Sequence, residues 1–265
     1  MTTRIAVSGA AGRMGQAIIR LIAEDDALEL AAALEHGQSP ILSRDAGTVA
    51  GIAQLGVPVA PAAEGGFDVM VEFTTPDATT EHLAFCREHG HAIMIGTTGL
   101  DDRQRGEVRD AGRDIPVVFA ANTSVGINLC VALLETAGRV LGDHMDVEVV
   151  EAHHRHKVDA PSGTALLLGE TVAGALGRDL ETDGVFAREG HTGPRPAGSI
   201  GFSIIRGGDI AGEHTVMFIG ESERIEITHR ATDRHIFARG ALRAARWLAG
   251  RPAGFYDMRD VLELR

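Results

Sequence analysis

Apolar residues in the first half of the chain come in short, mostly unbroken blocks: Ile5-Ala6-Val7, Leu28–Leu34, 69–73, Ala92–Ile95 and Pro116–Phe119. Blocks of that length suit strands buried on both faces, whereas between them apolar positions recur every three or four residues, the period of an amphipathic helix. Met14, Ala17, Ile18, Leu21 and Ile22 share one face of the first such helix. Asp77 is expected to cap a second, closed by Gly90, and 102–114 reads as a more polar third. Strand and helix in regular alternation predict a Rossmann-like, doubly wound parallel sheet of the α/β class.

The pattern then changes. Ser124 is placed to cap a helix over Val125–Leu141, followed by a strand with mixed faces over 146–151. The segments 201–206, 213–219 and 224–229 are short, turn-separated and β-rich, as in an open antiparallel or mixed sheet. Residues 233–248 return to helix through Ile236, Phe237, Leu242, Ala245 and Trp247, and the apolar tail 261–264 could rejoin the first domain. We therefore expect one domain from 1–124 plus 235–265, and a second α+β domain, 125–234, built on the open mixed sheet. The stretches 56–66 and 190–201 read as loops, the second long enough to suspect a function.

A length of 265 residues with 44% hydrophobic content suits one large or two smaller cores. Twenty-five Lys+Arg against 37 Asp+Glu, a formal charge of -12, argue against nucleic acid or an anionic membrane as the main partner, so an anionic ligand must be drawn by a local patch. The two cysteines, Cys86 and Cys130, lie inside apolar helical patterns and read as reduced core residues. With no apolar run near membrane-spanning length and no secretory pattern, the expected location is the cytoplasm.

Gly9-Ala10-Ala11-Gly12-Arg13-Met14-Gly15 turns the first strand into the first helix. Its spacing departs from G-x-G-x-x-G but serves the same physics, bare backbone approaching a pyrophosphate over a helix start. Glu35 ends the second strand 20 residues after Gly15, where a carboxylate can accept from ribose hydroxyls. Gly96-Thr97-Thr98-Gly99 and Ala120-Ala121-Asn122-Thr123 follow later strands, at the edge where open α/β sheets bind ligands; ordinary strand-to-helix turns are the competing reading. A nicotinamide cofactor is the expectation for this domain.

The run 151–165, Glu-Ala-His-His-Arg-His-Lys-Val-Asp-Ala-Pro-Ser-Gly-Thr-Ala, gathers His153, His154, His156, Arg155 and Lys157 ahead of the helix start Ser162-Gly163-Thr164. Histidine titrates near neutrality and helix-start amides attract anions, so the run joins proton handling to an anion seat. The histidine spacing is poor for zinc and lacks an evident fourth ligand, so no metal is expected. Ser162 as a plain N-cap competes with a binding role for the helix start, and the cationic run tips the balance toward binding.

These motifs, together with Arg188-Glu-Gly-His-Thr-Gly193 and Gly207-Gly-Asp-Ile-Ala-Gly-Glu-His214, make the chain resemble, over nearly its full length, the 4-hydroxy-tetrahydrodipicolinate reductases (dihydrodipicolinate reductases) of the diaminopimelate route to lysine. The resemblance implies that NADH or NADPH reduces (2S,4S)-4-hydroxy-2,3,4,5-tetrahydrodipicolinate, a cyclic dicarboxylate, to (S)-2,3,4,5-tetrahydrodipicolinate with loss of water. It implies His153 as proton donor and acceptor, Lys157 as a second donor near the ring nitrogen, and His154, Gly163 and Thr164 on substrate carboxylate. Cofactor contacts are carried over to Gly9, Ala10, Ala11, Gly12, Arg13, Met14, Glu35, His36, Gly96, Thr97, Thr98, Ala120, Ala121, Asn122 and Thr123. It further implies a homotetramer assembled through the β-rich domain, with cofactor and substrate meeting in a cleft that closes between domains.

Three positions depart from the family pattern: His36 stands where an arginine often meets the NADPH 2′-phosphate, Thr75 replaces an arginine, and Thr123 an aromatic. His36 in place of a permanent cation predicts dual cofactor use with NADH at least competitive. The competing functional readings are another two-domain nicotinamide dehydrogenase, which has no reason to contain the 153–164 run, and a cofactor-sensing regulator, which would not need His153 and Lys157.

Overall fold

The computed structural model describes residues 2–233 and 235–265, the side chain of residue 143 excepted. The chain divides into two compact units, Met1–Val125 with His235–Arg265, and Gly126–Arg234.

The first unit begins β1 (Thr3–Ser8), α1 (Arg13–Ala23), β2 (Leu28–Leu34), α2 (Ala46–Ala50) and β3 (Val59–Ala60). It continues β4 (Val69–Glu72), α3 (Pro76–His89), β5 (Ala92–Ile95), α4 (Asp102–Ala111) and β6 (Pro116–Phe119). The second unit holds α5 (Val125–Leu141), β7 (Asp146–His153), α6 (Gly163–Ala175), α7 (Leu180–Asp183), β8 (Gly184–Val185), β9 (Ile200–Arg206), β10 (Gly212–Ile219) and β11 (Arg224–Ala231). The chain then returns to the first unit as α8 (His235–Leu248), β12 (Gly254–Tyr256) and α9 (Met258–Leu262).

The first unit's seven-stranded sheet, in the order β12-β6-β5-β4-β1-β2-β3, is parallel throughout. Its central strands β4 and β5 are buried on both faces, as their unbroken apolar blocks require. Ile5, Val7, Val69 and Val71 face a core with Ile18 and Ile22 of α1 and Ala241 and Ala245 of α8. The alternate residues Ala6, Met70, Ile93 and Ile95 pack with Leu83 and Cys86 of α3 and Val108 of α4 on the other side. The chain winds outward from β1 to β3, then returns to β4, so the strand order reverses beside β1, the place where open α/β sheets bind ligands at the carboxyl ends of their strands.

The second unit's sheet, β11-β10-β7-β9-β8, is mixed: β7, β9 and β8 pair in parallel, and β10 pairs antiparallel with both β7 and β11. Val147, Val149, Phe202, Val216 and Phe218 form its core with Leu134 of α5 and Leu168 and Val172 of α6.

Several expectations are corrected. Thr75, not Asp77, caps α3: its side chain accepts from the Ala78 amide and Pro76 fixes the first turn, which leaves Asp77 inside that turn. The helix expected over 102–114 stops at Ala111, and the strand expected over 146–151 runs on through His153. The loop 56–66 contains β3, a strand too short to show a period. Val261 and Leu262 belong to α9, and Val261 is buried in the core shared by α1 and α8, so the tail does return to the first unit. Cys86 and Cys130 are free and buried.

Candidate functional site

The glycine turn is shaped by backbone crowding. Gly9 adopts φ +72, favourable only without a side chain, and a Cβ on Gly15 would lie 2.2 Å from the Gly9 carbonyl oxygen. Gly12 donates its amide to that same carbonyl at 2.9 Å. No side chain caps α1, which leaves first-turn amides at Arg13 and Met14 for an anionic group. Ala10 is buried with its amide on the Leu34 carbonyl at 2.9 Å, whereas Ala11 is exposed. The Glu35 carboxylate accepts from the amides of Ala11 at 2.9 Å and His36 at 3.1 Å, which places acid and turn side by side at the ends of β2 and β1. His36 and Arg13 are both exposed.

The neighbouring turns come to the same sheet edge because β4, β5 and β6 run parallel to β1. Gly96 has no room for a side chain: a Cβ would meet the Phe73 ring at 2.1 Å. Thr97 is buried, its hydroxyl accepting the Thr74 amide at 3.0 Å, and Thr98 is exposed. Ala121 is exposed, and the Asn122 side chain accepts from the Ser124 amide at 3.0 Å. Thr123 differs from the others: its buried hydroxyl donates to the Phe237 carbonyl at 2.7 Å, so its side chain serves α8 and leaves only backbone toward a ligand.

In the second unit, Glu151 and His153 lie two apart on β7 and so on one face, the face that carries Val147 and Val149 into the core. Their strand neighbours are fixed by register: His214 of β10 is opposite Glu151, and Arg206 of β9 opposite His153. The Glu151 carboxylate lies 2.6 Å from His153 Nδ1 and takes both terminal nitrogens of Arg206 at 2.7 Å. It also accepts the Ser162 amide at 3.0 Å. Burial works to raise the Glu151 carboxyl, but the Arg206 guanidinium, His153 and the Ser162 amide together hold it below the usual carboxylate range. The Ser162 hydroxyl accepts the Ala165 amide at 3.2 Å as N-cap of α6 and shares a 3.0 Å hydrogen bond with His214 Nε2. Burial first, then the charge of His153, depresses His214 to about 4, so it is neutral near pH 7.

The loop after His153 is laced to the β9–β10 turn by the amides of His154 on the Ile210 carbonyl at 2.8 Å and Arg155 on the Gly208 carbonyl at 3.3 Å. Lys157 Nζ pairs with Asp159 at 2.8 Å, and that hydrogen bond is the main cause holding the Asp159 carboxyl low. Gly163 is exposed in the first turn of α6, with nothing within 4 Å of where a Cβ would stand. Thr164 is half-buried beside it, while Arg155 and His156 are exposed. Geometry thus gathers His153, His154, Lys157, Gly163 and Thr164 around the end of β7 and the start of α6. It adds three groups that the sequence reading left without a role, Glu151, Arg206 and His214. Glu151 and His153 carry a detectable signal, their i,i+2 spacing on a strand; Arg206 and His214 require the register of two other strands. Among the described residues no group of three or more His, Cys, Asp or Glu side chains could hold a metal ion, and no helix is long and apolar enough to cross a membrane.

A parallel sheet with a glycine turn at its switch point, and a mixed sheet bearing a carboxylate–imidazole pair beside a helix start, define a two-unit protein with a dinucleotide-type first unit. The family descriptions "Dihydrodipicolinate reductase, N-terminus" and "Dihydrodipicolinate reductase, C-terminus" match residues 3–123 and 126–262. A relative from Pseudomonas fluorescens, 4-hydroxy-tetrahydrodipicolinate reductase, is 54% identical over 266 residues, covering 99% of each chain. The dipicolinate-bound dihydrodipicolinate reductase from Paenisporosarcina sp. TG-14 shares the fold with a TM-score of 0.76 at 23% identity, over 97% of this chain and 98% of that one. More distantly, the WlbA dehydrogenase of Chromobacterium violaceum, solved with NADH and UDP-GlcNAcA, gives a TM-score of 0.57 at 12% identity over 99% and 90%. The chain belongs to the dihydrodipicolinate reductase family. It is an oxidoreductase of lysine biosynthesis whose first unit is a nicotinamide-dinucleotide domain.

Proposed function

We propose that the chain reduces (2S,4S)-4-hydroxy-2,3,4,5-tetrahydrodipicolinate to (S)-2,3,4,5-tetrahydrodipicolinate, consuming one NAD(P)H and one proton and releasing NAD(P)+ and water. The observation that carries the reading is the His153 ring fixed on Glu151 next to the uncrowded start of α6. When bound, the nicotinamide supplies the hydride; this chain's residues position the reactants and move protons. An ionised Glu151 can only accept, so His153 Nδ1 carries a hydrogen and Nε2 is the nitrogen left to exchange protons with substrate. Lys157 is the second donor, held by Asp159 until substrate competes for it. His154 and the backbone and hydroxyl at Gly163 and Thr164 seat carboxylate.

The first unit fits the dinucleotide: the cradle at Gly9 and Gly15 admits no Cβ, α1 is uncapped, and Glu35, which accepts the Ala11 amide beside that turn, is the carboxylate offered to ribose hydroxyls. Arg13, Met14, Gly12, His36, Thr98 and Asn122 complete the contacts of that edge. Because exposed His36 replaces a permanent cation, NADH is at least competitive with NADPH, Arg13 being the remaining cation for a 2′-phosphate. The active assembly is a homotetramer built through the second unit's sheet, which sedimentation equilibrium reads directly; a monomer mass overturns it.

The test supplies freshly made 4-hydroxy-tetrahydrodipicolinate and follows oxidation of NADH and NADPH separately. Wild type consumes both, NADH at least as efficiently. His153→Gln and Lys157→Ala lose about 100- to 10,000-fold in turnover with little change in cofactor Kd, the scale of one positioned acid. Near-normal turnover in both variants defeats the residue roles; strong preference for NADPH defeats the His36 argument; nucleotide binding without substrate-dependent oxidation indicates a sensor rather than an enzyme.

A further inference from the structure

The first unit holds a buried carboxylate of its own, beneath its nucleotide edge. Glu72, the last residue of β4, is fully buried. It accepts hydrogen bonds from the hydroxyls of Ser8 and Thr74 and from Thr79 at 3.3 Å, and pairs with His82 Nδ1 at 2.7 Å. An isolated carboxylate in such a place carries a large desolvation penalty, so the ring and hydroxyls are what keep it ionised. The same groups are the ends of the strands that make the dinucleotide edge. Ser8 immediately precedes Gly9; Thr74 donates its amide to Thr97 at 3.0 Å; and a Cβ on Gly9 would meet the Phe73 carbonyl oxygen at 2.9 Å and Thr74 Cγ2 at 3.0 Å. One carboxylate therefore ties the turn after β1 to the turns after β4 and β5.

We infer that Glu72 and His82 are positioning residues for the nicotinamide dinucleotide: their ion pair holds the Ser8–Gly9, Thr74 and Thr97 turns in the binding-competent arrangement, so cofactor affinity follows the protonation of His82. This rests on the reading of the glycine turn as the dinucleotide seat. Neither residue is among the proposed cofactor contacts; they act through the turns whose backbone carries those contacts. The charges acting on His82 are Glu72 from β4 and Glu81 beside it on α3, and both favour the imidazolium. β1 presents only the Ser8 hydroxyl among the described contacts of this carboxylate, and Cys86, one turn further along α3, is kept as a thiol by burial and by the Glu72 charge.

The direction of the effect follows from the pair. Burial opposes both charges, but their mutual attraction wins: His82 is raised above the ordinary histidine range and Glu72 lowered below the ordinary carboxylate range. The pair is then intact at and below neutral pH down to the depressed Glu72 value. It is lost as pH rises through the raised His82 value, when Glu72 is left as a buried charge without its cation.

The experiment titrates NADH onto the intact protein by fluorescence between pH 6 and 9.5. NADH is chosen because it lacks the 2′-phosphate, whose own ionisation near neutrality would obscure the profile. Wild type holds a constant Kd near neutral pH and weakens on the alkaline side by roughly tenfold, within the usual range of a site-to-site coupling. His82→Gln binds more weakly at pH 7 and shows no step, while turnover at saturating NADH is preserved. His89→Gln, at an exposed histidine on the same helix, keeps the wild-type step. NMR titration of the His82 ring in wild type gives the same midpoint as the Kd step, so the result does not depend on the variant folding. A flat wild-type profile, a step that survives in folded His82→Gln, or a ring midpoint that does not match overturns the inference. Failure to bind NADH at any pH overturns instead the reading of the glycine turn.

Discussion

At His153 the chemistry depends on which ring nitrogen is free, and Glu151 decides it by occupying Nδ1 at 2.6 Å. Glu151 is itself over-determined by the Arg206 fork and the Ser162 amide, so the ring cannot swing without breaking a buried network. Glu151→Gln keeps the size but removes the negative charge. Turnover should fall by at least about 100-fold, the lower scale for losing a correctly held acid, with NADH Kd unchanged. Because the Glu151 carboxyl is depressed, its support is present above the ordinary carboxylate range and is lost only as pH falls through that depressed value. Near-normal turnover in a folded variant removes Glu151 from the proton path. His153 was legible from sequence because a histidine cluster stands out by letter; Glu151 was not, because the expected strand ended at residue 151 and so hid that both share one face.

At the scale of elements, the start of α6 has two explanations that composition alone leaves level. Ser162 caps the helix in the ordinary way, which accounts for its side chain without any ligand. Gly163 separates the explanations, because its surroundings are open to 4 Å and its backbone needs no glycine. Gly163→Ala should leave thermal stability equal or slightly higher, since alanine favours helix. If carboxylate rests on this backbone, the added methyl raises substrate KM by roughly tenfold, about 1.4 kcal/mol of binding, with kcat nearly kept. Unchanged KM would assign the motif to capping alone. The strands of the first unit were readable because burial on both faces leaves unbroken apolar blocks. The β3 and β12 edges and the short α2 were not, being only 2, 3 and 5 residues long and held by tertiary contacts rather than by a period of their own.

For the whole molecule, each unit contains one solvent-shielded carboxylate among the described residues, and the two are neutralised by cations of different kinds. Glu151 faces Arg206, which stays charged at any pH a folded protein meets. Glu72 faces His82, which does not. Both carboxyls are held below their ordinary value, so acid removes support from both units once pH falls through the depressed values, and the two should loosen together. The alkaline side is asymmetric. His82 is raised, so its contribution is complete below the ordinary histidine value and disappears as pH passes the raised one; no comparable loss touches Arg206. Hydrogen-exchange protection factors, corrected for intrinsic rates, should therefore fall between pH 7 and 9.5 for β4, α3 and the turn after β1. They should hold for β7 and β9, whose buried carboxylate keeps its cation. Equal alkaline losses in both units would mean that the difference in counter-ions does not govern local stability. Loss confined to β7 and β9 would reverse the argument altogether.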